Sequence, residues 1–300
     1  MKMDILERVS SMSIYFQLFL ASFFWGSNII VMKLLLSHIP FLFLAFLRVV
    51  LSFLFLGLYI YFYHIPIQCP NKKKLIMISL LSIYLNFYFT FLGMNQVKGV
   101  DNAFMNALSP SLTFLLSFLF FRNHHTFKEW IAMFLSMFAF LLSIHFQLFS
   151  IQIGFFYLLI GIILYILGNI LIQKWNISNG ISFIFFELLM GSLFLFIHCL
   201  WDGQLAFSQL SSLSIWHWIL FLLISGIGFA FIQVTYMKAI AQIGAVQTSF
   251  FLSLNPVFTY IESLVFLNED FDLLHFMSFV LLLISLMIIQ KRKPHEFSLK

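Results

Sequence analysis

The sequence predicts an all-α polytopic membrane protein, with ten transmembrane helices arranged as two inverted five-helix repeats. Three observations carry that prediction. Apolar residues make up 62% of the 300 and charged residues only 9%, against roughly 45–50% and 25% in a soluble domain. The 43 Phe are more than one soluble core can hide. Ten segments approach the roughly 20 apolar residues that a helix needs to cross about 30 Å of hydrocarbon. The Lys and Arg residues then sort onto one side of that ten-span path.

The chain opens with a short segment, 1–13, carrying Lys2, Asp4, Glu7 and Arg8. The first span, 14–36, exceeds a signal-peptide core and lacks a small-x-small cleavage site after it, so it reads as uncleaved. Trp25 and Asn28 lie inside it. The second span, 41–63, carries Arg48 eight residues in, roughly 10 Å below its starting surface. The third, 75–94, contains Asn86. The fourth, 102–121, contains Ser109, Pro110 and Thr113, and the fifth is 129–146. The sixth, 153–173, contains Asn169, and the seventh, 181–200, contains Glu187. The eighth, 215–237, holds Gln233 and opens on Trp216 and Trp218, placed as interfacial anchors. The ninth, 247–267, contains Asn255, Pro256, Thr259 and Glu262, and the tenth is 273–290. A basic tail, 291–300, ends the chain. The longest connections, 64–74 and 201–214, leave no room for a soluble catalytic domain.

With the N-terminus in the cytoplasm, 13 Lys and Arg fall on the inside and 2, Lys33 and Lys98, on the outside; Arg48 lies within a span. That asymmetry is a strong positive-inside signal and places both termini in the cytoplasm. It also accounts for the net charge of +5 without a nucleic-acid partner. Cys69 falls inside and Cys199 near the outer end of a span. Two cysteines so separated form neither a disulfide nor a thiolate metal site.

The chain repeats itself. Residues 96–121 placed on 242–267 share 8 of 26 positions: Gln96/Gln242, Val100/Val246, Phe104/Phe250, Leu108/Leu254, Pro110/Pro256, Thr113/Thr259, Ser117/Ser263 and Phe120/Phe266. Apolar bias explains the Phe, Leu and Val matches but not Pro, Thr, Ser and Gln in register. SNIIVMK at 27–33 pairs more weakly with GNILIQK at 168–174, and FLRVVLSFLFL at 46–56 with FFELLMGSLFL at 185–195. The repeats are 14–146 and 153–290. A five-span unit is odd, so the second copy enters the membrane from the opposite side. Inverted repeats of this kind build secondary transporters, with the substrate site near the midplane between the halves.

Four stretches, FFWGSNIIVMK, LAFLRVVLSFL, NALSPSLTFLLSFLFF and SLNPVFTYIESLVFLNED, resemble the drug/metabolite transporter superfamily in its ten-helix EamA-like branch. The resemblance runs over about residues 14–291. It implies a multi-pass carrier in a bacterial inner membrane that moves amino acids or related amphipathic solutes, commonly as an exporter. Two features depart from the pattern: Glu262 is acidic where a neutral residue is expected, and span six lacks a tryptophan matching Trp25.

Charged groups inside spans are costly, at least about 2.5–3.5 kcal/mol each on insertion scales, so each requires a reason. Arg48 either faces a ligand or gate or bonds helix ends. Glu187 occupies Arg48's place in the second half and either binds a proton or cationic solute or pairs with a basic residue such as Lys174. Glu262 is the leading proton-coupling candidate, with Thr259 one turn away as a hydroxyl donor; the alternative is a packing residue. Pro110 and Pro256 each remove a backbone donor and bend a helix. Ser109, Thr113 and Ser117 share one face, and Asn255, Thr259 and Ser263 repeat it; the face lines a cavity or bonds a neighbouring helix. Trp25, Asn28, Asn86, Asn169 and Gln233 complete the substrate-path candidates.

His124 and His125 lack HExxH spacing and read as a loop rather than a metal site. No nucleophile–base set or phosphate loop occurs, so no catalytic residues, metal or cofactor are expected. The expected partners are a small-molecule substrate, the lipid bilayer and a coupling proton if transport is proton-driven. A passive channel or an importer is the competing reading, with an intramembrane enzyme ranked below.

Topology is directly testable. An impermeant thiol reagent should label Cys69 only when it reaches the cytoplasmic face, and a reporter fused after residue 205 should read outside. Labelling of Cys69 on intact cells would refute the orientation.

Overall fold

The computed structural model describes residues 13–121, 126–145, 152–177, 180–251, 254–266 and 270–290; His124 and His125 lie outside them. The described residues of the predicted spans are helical apart from short turns, with no strand among the described residues. We number the helices by span: α1 (Ile14–Leu35), α2 (Phe41–Phe62), α3 (Lys72–Met94), α4a (Gly99–Asn106) and α4b (Ser109–Phe121), α5 (Phe127–Ser143), α6 (Ile153–Lys174), α7 (Gly180–Trp201), α8 (Ile215–Ile243), α9a (Ala245–Phe251) and α9b (Asn255–Phe266), and α10 (Leu273–Gln290). Among the described residues, eight helices are long and apolar enough to cross a membrane, and Leu273–Ile288 is a shorter apolar helix. The 17-residue α5 opens with Lys128 and Glu129.

Helix ends follow local chemistry. Asn71 accepts from the Lys73 and Lys74 amides and starts α3 three residues earlier than the apolar run suggests. Thr126 and Glu129 cap α5 reciprocally, answering two of its orphan donors. Lys33 donates to the Met94 and Val97 carbonyls at 2.8 and 2.6 Å, placing a cation on the C-terminal end of α3. α8 runs to Ile243, past the expected end at 237, because nothing breaks it before Gly244, whose φ of 83° terminates it. Lys238 is exposed on that extension.

The expected bend at Pro110 is a break. Proline has no N–H to bond the Asn106 carbonyl. The chain turns at 107–108, with Ala107 and Leu108 amides bonding back three residues to Phe104 and Met105. Pro110 then occupies the first turn of α4b, where a missing donor costs nothing. Pro256 occupies the matching place in α9b; residues 252–253 before it lie outside the described residues.

The helix packing repeats with an interval of five. α1 packs on α8 as α6 packs on α3; α1 on α9b as α6 on α4b; α2 on α8 as α7 on α3. The pairs α2–α7 and α5–α10 map onto themselves, and α4a–α9b maps onto α9a–α4b. Both α3 and α8 contain a π-helical stretch, Ser79–Leu85 and Phe221–Gly228. Such stretches widen a helix and recur at functional sites. In α8, side chains from α1 and α2 bond the backbone of this stretch: Asn28 donates to Ile224 O at 3.2 Å, and Ser52 lies 3.0 and 3.1 Å from Ser225 O and Gly226 O. In the α3 stretch, Gly191, in the position of Ser52, instead lets Ile83 approach so closely that a Cβ would meet Ile83 Cγ2.

Phe16, Leu54, Leu119, Ile261 and Val265 are exposed, as lipid-facing positions require. Because lipid removes most of the hydrophobic drive between helices, small residues and interhelical bonds hold the crossings. Ser22 donates to Phe251 O at 2.7 Å, Ser111 and Ser136 share a bond of 2.6 Å, and Ser285 donates to Ala132 O at 2.9 Å. At Gly26 a Cβ would stand 2.8 Å from Phe258 Cβ and 2.9 Å from Asn255 O. Gly26→Ala should therefore push α1 off α9b and lower stability by about 1–3 kcal/mol. Gly57→Ala, whose Cβ would lie 3.4 Å from Phe185 Cε2, should be tolerated. Thermal unfolding of both variants in one detergent checks this contrast.

Candidate functional site: two chambers and an aromatic partition

One space between the helices, of about 500 Å³ including the part open to solvent, is lined by residues of α1, α2, α3, α4a, α4b and α6. It takes in Trp25, Asn28, Arg48, Asn86 and Ser109 from the expected set, with Thr90, Asn102, Asn106 and Tyr165 in addition. Arg48 and Asn102 sit in the halves of α2 and α4 remote from the chain termini, so this chamber belongs to that far half of the bundle.

Arg48 is its charged group. Its guanidinium lies 4.7 and 5.9 Å from the ring centroids of Phe87 and Phe91 and 4.3 Å from that of Phe229. Rings from both repeats thus cage one cation, an arrangement whose attraction grows when water is excluded. Arg48 Nε has no hydrogen-bond partner.

Glu187 lies across the bundle, in a second space of about 240 Å³ lined also by Ser82, Asn169, Gln233 and Tyr236. It is 1% exposed, and its Oε2 has no partner. Lys174, considered as its counter-ion from the sequence, points its ammonium over the Phe120 ring at 5.6 Å. A third space of about 250 Å³ adjoins through Tyr165, Asn169 and Tyr236 and takes in Thr113, Thr248 and Ser249. Glu187 sits seven residues into α7 from the end nearer the termini, so these two spaces form the near chamber.

Three rings separate the chambers. Trp25 of α1 meets Tyr165 of α6 edge-on at 5.4 Å and Tyr236 of α8 at 5.6 Å. Trp25 borders only the far chamber, Tyr236 only the near spaces, and Tyr165 all three. The rings come from both repeats, so relative movement of the repeats necessarily moves the partition.

Polar atoms without protein partners concentrate around this axis: Asn28 Oδ1, Arg48 Nε and Asn102 Nδ2 in the far chamber, Ser82 Oγ, Glu187 Oε2 and Tyr236 OH in the near one. Tyr165 OH faces Asn169 without a well-aligned bond. Each such atom costs about 1–3 kcal/mol if it stays unanswered. So many in one place is more than helix packing requires.

The remaining expected residues lie elsewhere. Thr259 donates to Gly26 O at 3.1 Å, and Glu262 accepts from Ser27 at 2.5 Å. The expected Thr259–Glu262 bond is thus replaced by two bonds to α1, because the tight crossing at Gly26 brings that helix within reach. Asn255 is fully buried beside the same crossing, with neither amide atom partnered. Pro110 and Pro256 border none of the three spaces. The sequence reading missed Tyr165, Tyr236, Asn102, Asn106 and the phenylalanines around Arg48. Tyr165 immediately precedes Ile166, the counterpart of Trp25, so span six, which has no matching tryptophan, still brings an aromatic ring to the partition.

Comparison with known proteins agrees with this architecture. The model of the EamA-like transporter family matches residues 12–145 and again 152–290. No curated protein matches the sequence. A protein solved by crystallography is similar in fold at 13% identity and a TM-score of 0.64, over 90% of this chain and 98% of that one.

Structural and path-lining polar groups should separate experimentally. Tyr165→Phe and Tyr236→Phe remove unanswered hydroxyls and should leave the melting temperature unchanged or raise it. Ser52→Ala removes the hydroxyl that bonds α2 to α8 and should destabilise by about 0.6–1 kcal/mol.

Proposed function

The chain belongs to the EamA-like transporter family, which makes it a membrane transporter and not an enzyme, and from that premise we propose that it carries amino acids or related amphipathic metabolites by alternating access, in the direction of export. The observation that carries the reading is the caged, carboxylate-free Arg48 in a polar chamber that ends on an aromatic partition. A solute carboxylate is the natural counter-ion for a guanidinium held in place by three rings. Asn28, Asn86, Asn102 and Asn106 offer carbonyl oxygens for an ammonium group. Trp25 and Tyr165 present apolar faces to a side chain. The termini lie in the cytoplasm of a bacterial cell, so the far chamber faces outward and the near chamber inward.

Coupling requires a group that changes charge as the chambers alternate. Glu187 is buried in the near chamber with one oxygen free, whereas Glu262 is committed to Ser27 at the α1 crossing. This arrangement favours Glu187 as the proton carrier over Glu262, the leading candidate on sequence grounds.

Metabolite profiling of cells with and without the protein identifies the solute, and exchange in proteoliposomes tests it. Arg48→Gln should raise KM roughly ten- to hundredfold, the loss of about 1.5–3 kcal/mol from a charge-assisted bond, while the protein stays folded. Glu187→Gln should abolish pH-gradient-driven accumulation but retain exchange, and Glu262→Gln should keep the wild-type pH dependence. Unchanged KM in Arg48→Gln would remove the carboxylate site. A pH dependence lost in Glu262→Gln alone would return the coupling role to that residue.

A further inference from the structure

Outside the chambers, the far ends of three helices meet at a cluster of two imidazoles and a carboxylate. His145 lies two residues beyond α5, Asp272 caps α10, and His275 sits in its first turn. His145 Nε2 is 2.8 Å and His275 Nδ1 3.7 Å from the same oxygen, Asp272 Oδ2. One ligand atom from each residue lies within 4.8 Å of the others. We propose that His145, Asp272 and His275 form a binding site for a divalent transition-metal ion of the zinc class.

The carboxylate is held in place. Asp272 Oδ1 accepts from the Leu274 and His275 amides at 2.7 and 3.1 Å, and the Tyr260 hydroxyl bonds both the Asp272 amide, at 2.8 Å, and its carbonyl, at 3.0 Å. These bonds use one carboxylate oxygen and leave Oδ2 pointing at the imidazoles. His275 is positioned by its rings, stacked on Phe104 of α4a at 5.0 Å and near Tyr260 at 5.8 Å. Hydrogen bonding does not explain it. Its Nδ1 stands too far from Asp272 for a hydrogen bond, and its Nε2 is buried without a partner. A metal ion would engage Nδ1. Tetrahedral bonds of about 2.0–2.2 Å set donor atoms about 3.3–3.5 Å apart, so the three groups need to move by no more than about an ångström.

Two imidazoles and one carboxylate form a borderline donor set that suits Zn²⁺, with a fourth position for water; Mg²⁺ and Ca²⁺ demand more oxygen. Asp101 and Lys98, at the start of α4a, are the other charged groups acting on the cluster. The sequence concealed the site because residue 145 is remote from 272 and 275, and only the packing of α5 along α10 joins them. α4a stands between this cluster, which Phe104 meets, and the far chamber, which Asn102 and Asn106 line.

The test uses full-length, tag-free, chelator-treated protein in nanodiscs. Calorimetry with Zn²⁺ should give one site per chain, and Co²⁺ should develop the visible bands of tetrahedral nitrogen–oxygen coordination. Asp272→Asn keeps the helix cap, and His145→Asn tolerates the φ of 53° at that residue. Each should weaken Zn²⁺ binding about tenfold or more. Zn²⁺ but not Mg²⁺ should also raise the melting temperature of the wild type, a readout independent of the variants. Absence of binding at about 100 µM free Zn²⁺, or equal affinity in wild type and both variants, would overturn the proposal.

Discussion

The structure depends on one constraint: within lipid, a polar group must be answered by the protein itself or by the solute and water that the protein admits. Most such groups here are answered locally. Serine and threonine hydroxyls bond carbonyls in their own helix or the next, Lys33 ends α3, and Asn28 and Ser52 meet the backbone of the α8 π stretch. Many of the groups left over gather on both sides of Trp25, Tyr165 and Tyr236, while others, such as Asn255, lie at helix crossings. The proposed transport path is where this concentration is greatest. A helix bundle that needed only to stand in a membrane would gain by replacing Arg48 and Glu187 with leucine.

The two repeats share a packing plan but not a chemistry. Arg48 and Glu187 hold equivalent positions with opposite charge, and inversion sends them to opposite halves of the bundle. Asn28 commits its Nδ2 to the π stretch of the partner repeat and leaves only Oδ1 to the far chamber, while its counterpart Asn169 lines the near spaces. Ser52 hydrogen-bonds where Gly191 makes room for Ile83. An exactly symmetric molecule would present the same site to both faces. Divergence at these few positions makes the far chamber cationic and the near one acidic, a difference that direction and coupling can exploit.

Much of the fold was legible because the bilayer imposes length and composition on each span, and because Pro110/Pro256 and Thr113/Thr259 repeat in register. The break after Asn106 was foreshadowed by Pro110, though its form was not, since a proline fits either a bent helix or the first turn of a new one. Arg48, Glu187 and Trp25 stood out as isolated exceptions in apolar runs. Tyr165 and Tyr236 did not, because a tyrosine in a span has no feature in sequence that distinguishes a partition from packing. The π stretches were invisible for a related reason: Ser79–Leu85 and Phe221–Gly228 are as apolar as their flanks, and only backbone geometry separates them. The partner of Glu262 was hidden for another reason: Ser27 lies 235 positions away.

The central claim is that the far and near chambers open alternately across the aromatic partition. The most direct measurement is paired accessibility in a Cys69→Ser, Cys199→Ser background, with one cysteine at Asn106 in the far chamber or at Gln233 in the near one. Each is labelled by an impermeant maleimide from its own side of sealed vesicles. The account predicts reciprocal change: a solute or pH condition that speeds labelling at 106 slows it at 233. Simultaneous fast labelling at both sites under one condition would mark a continuous pore and contradict it.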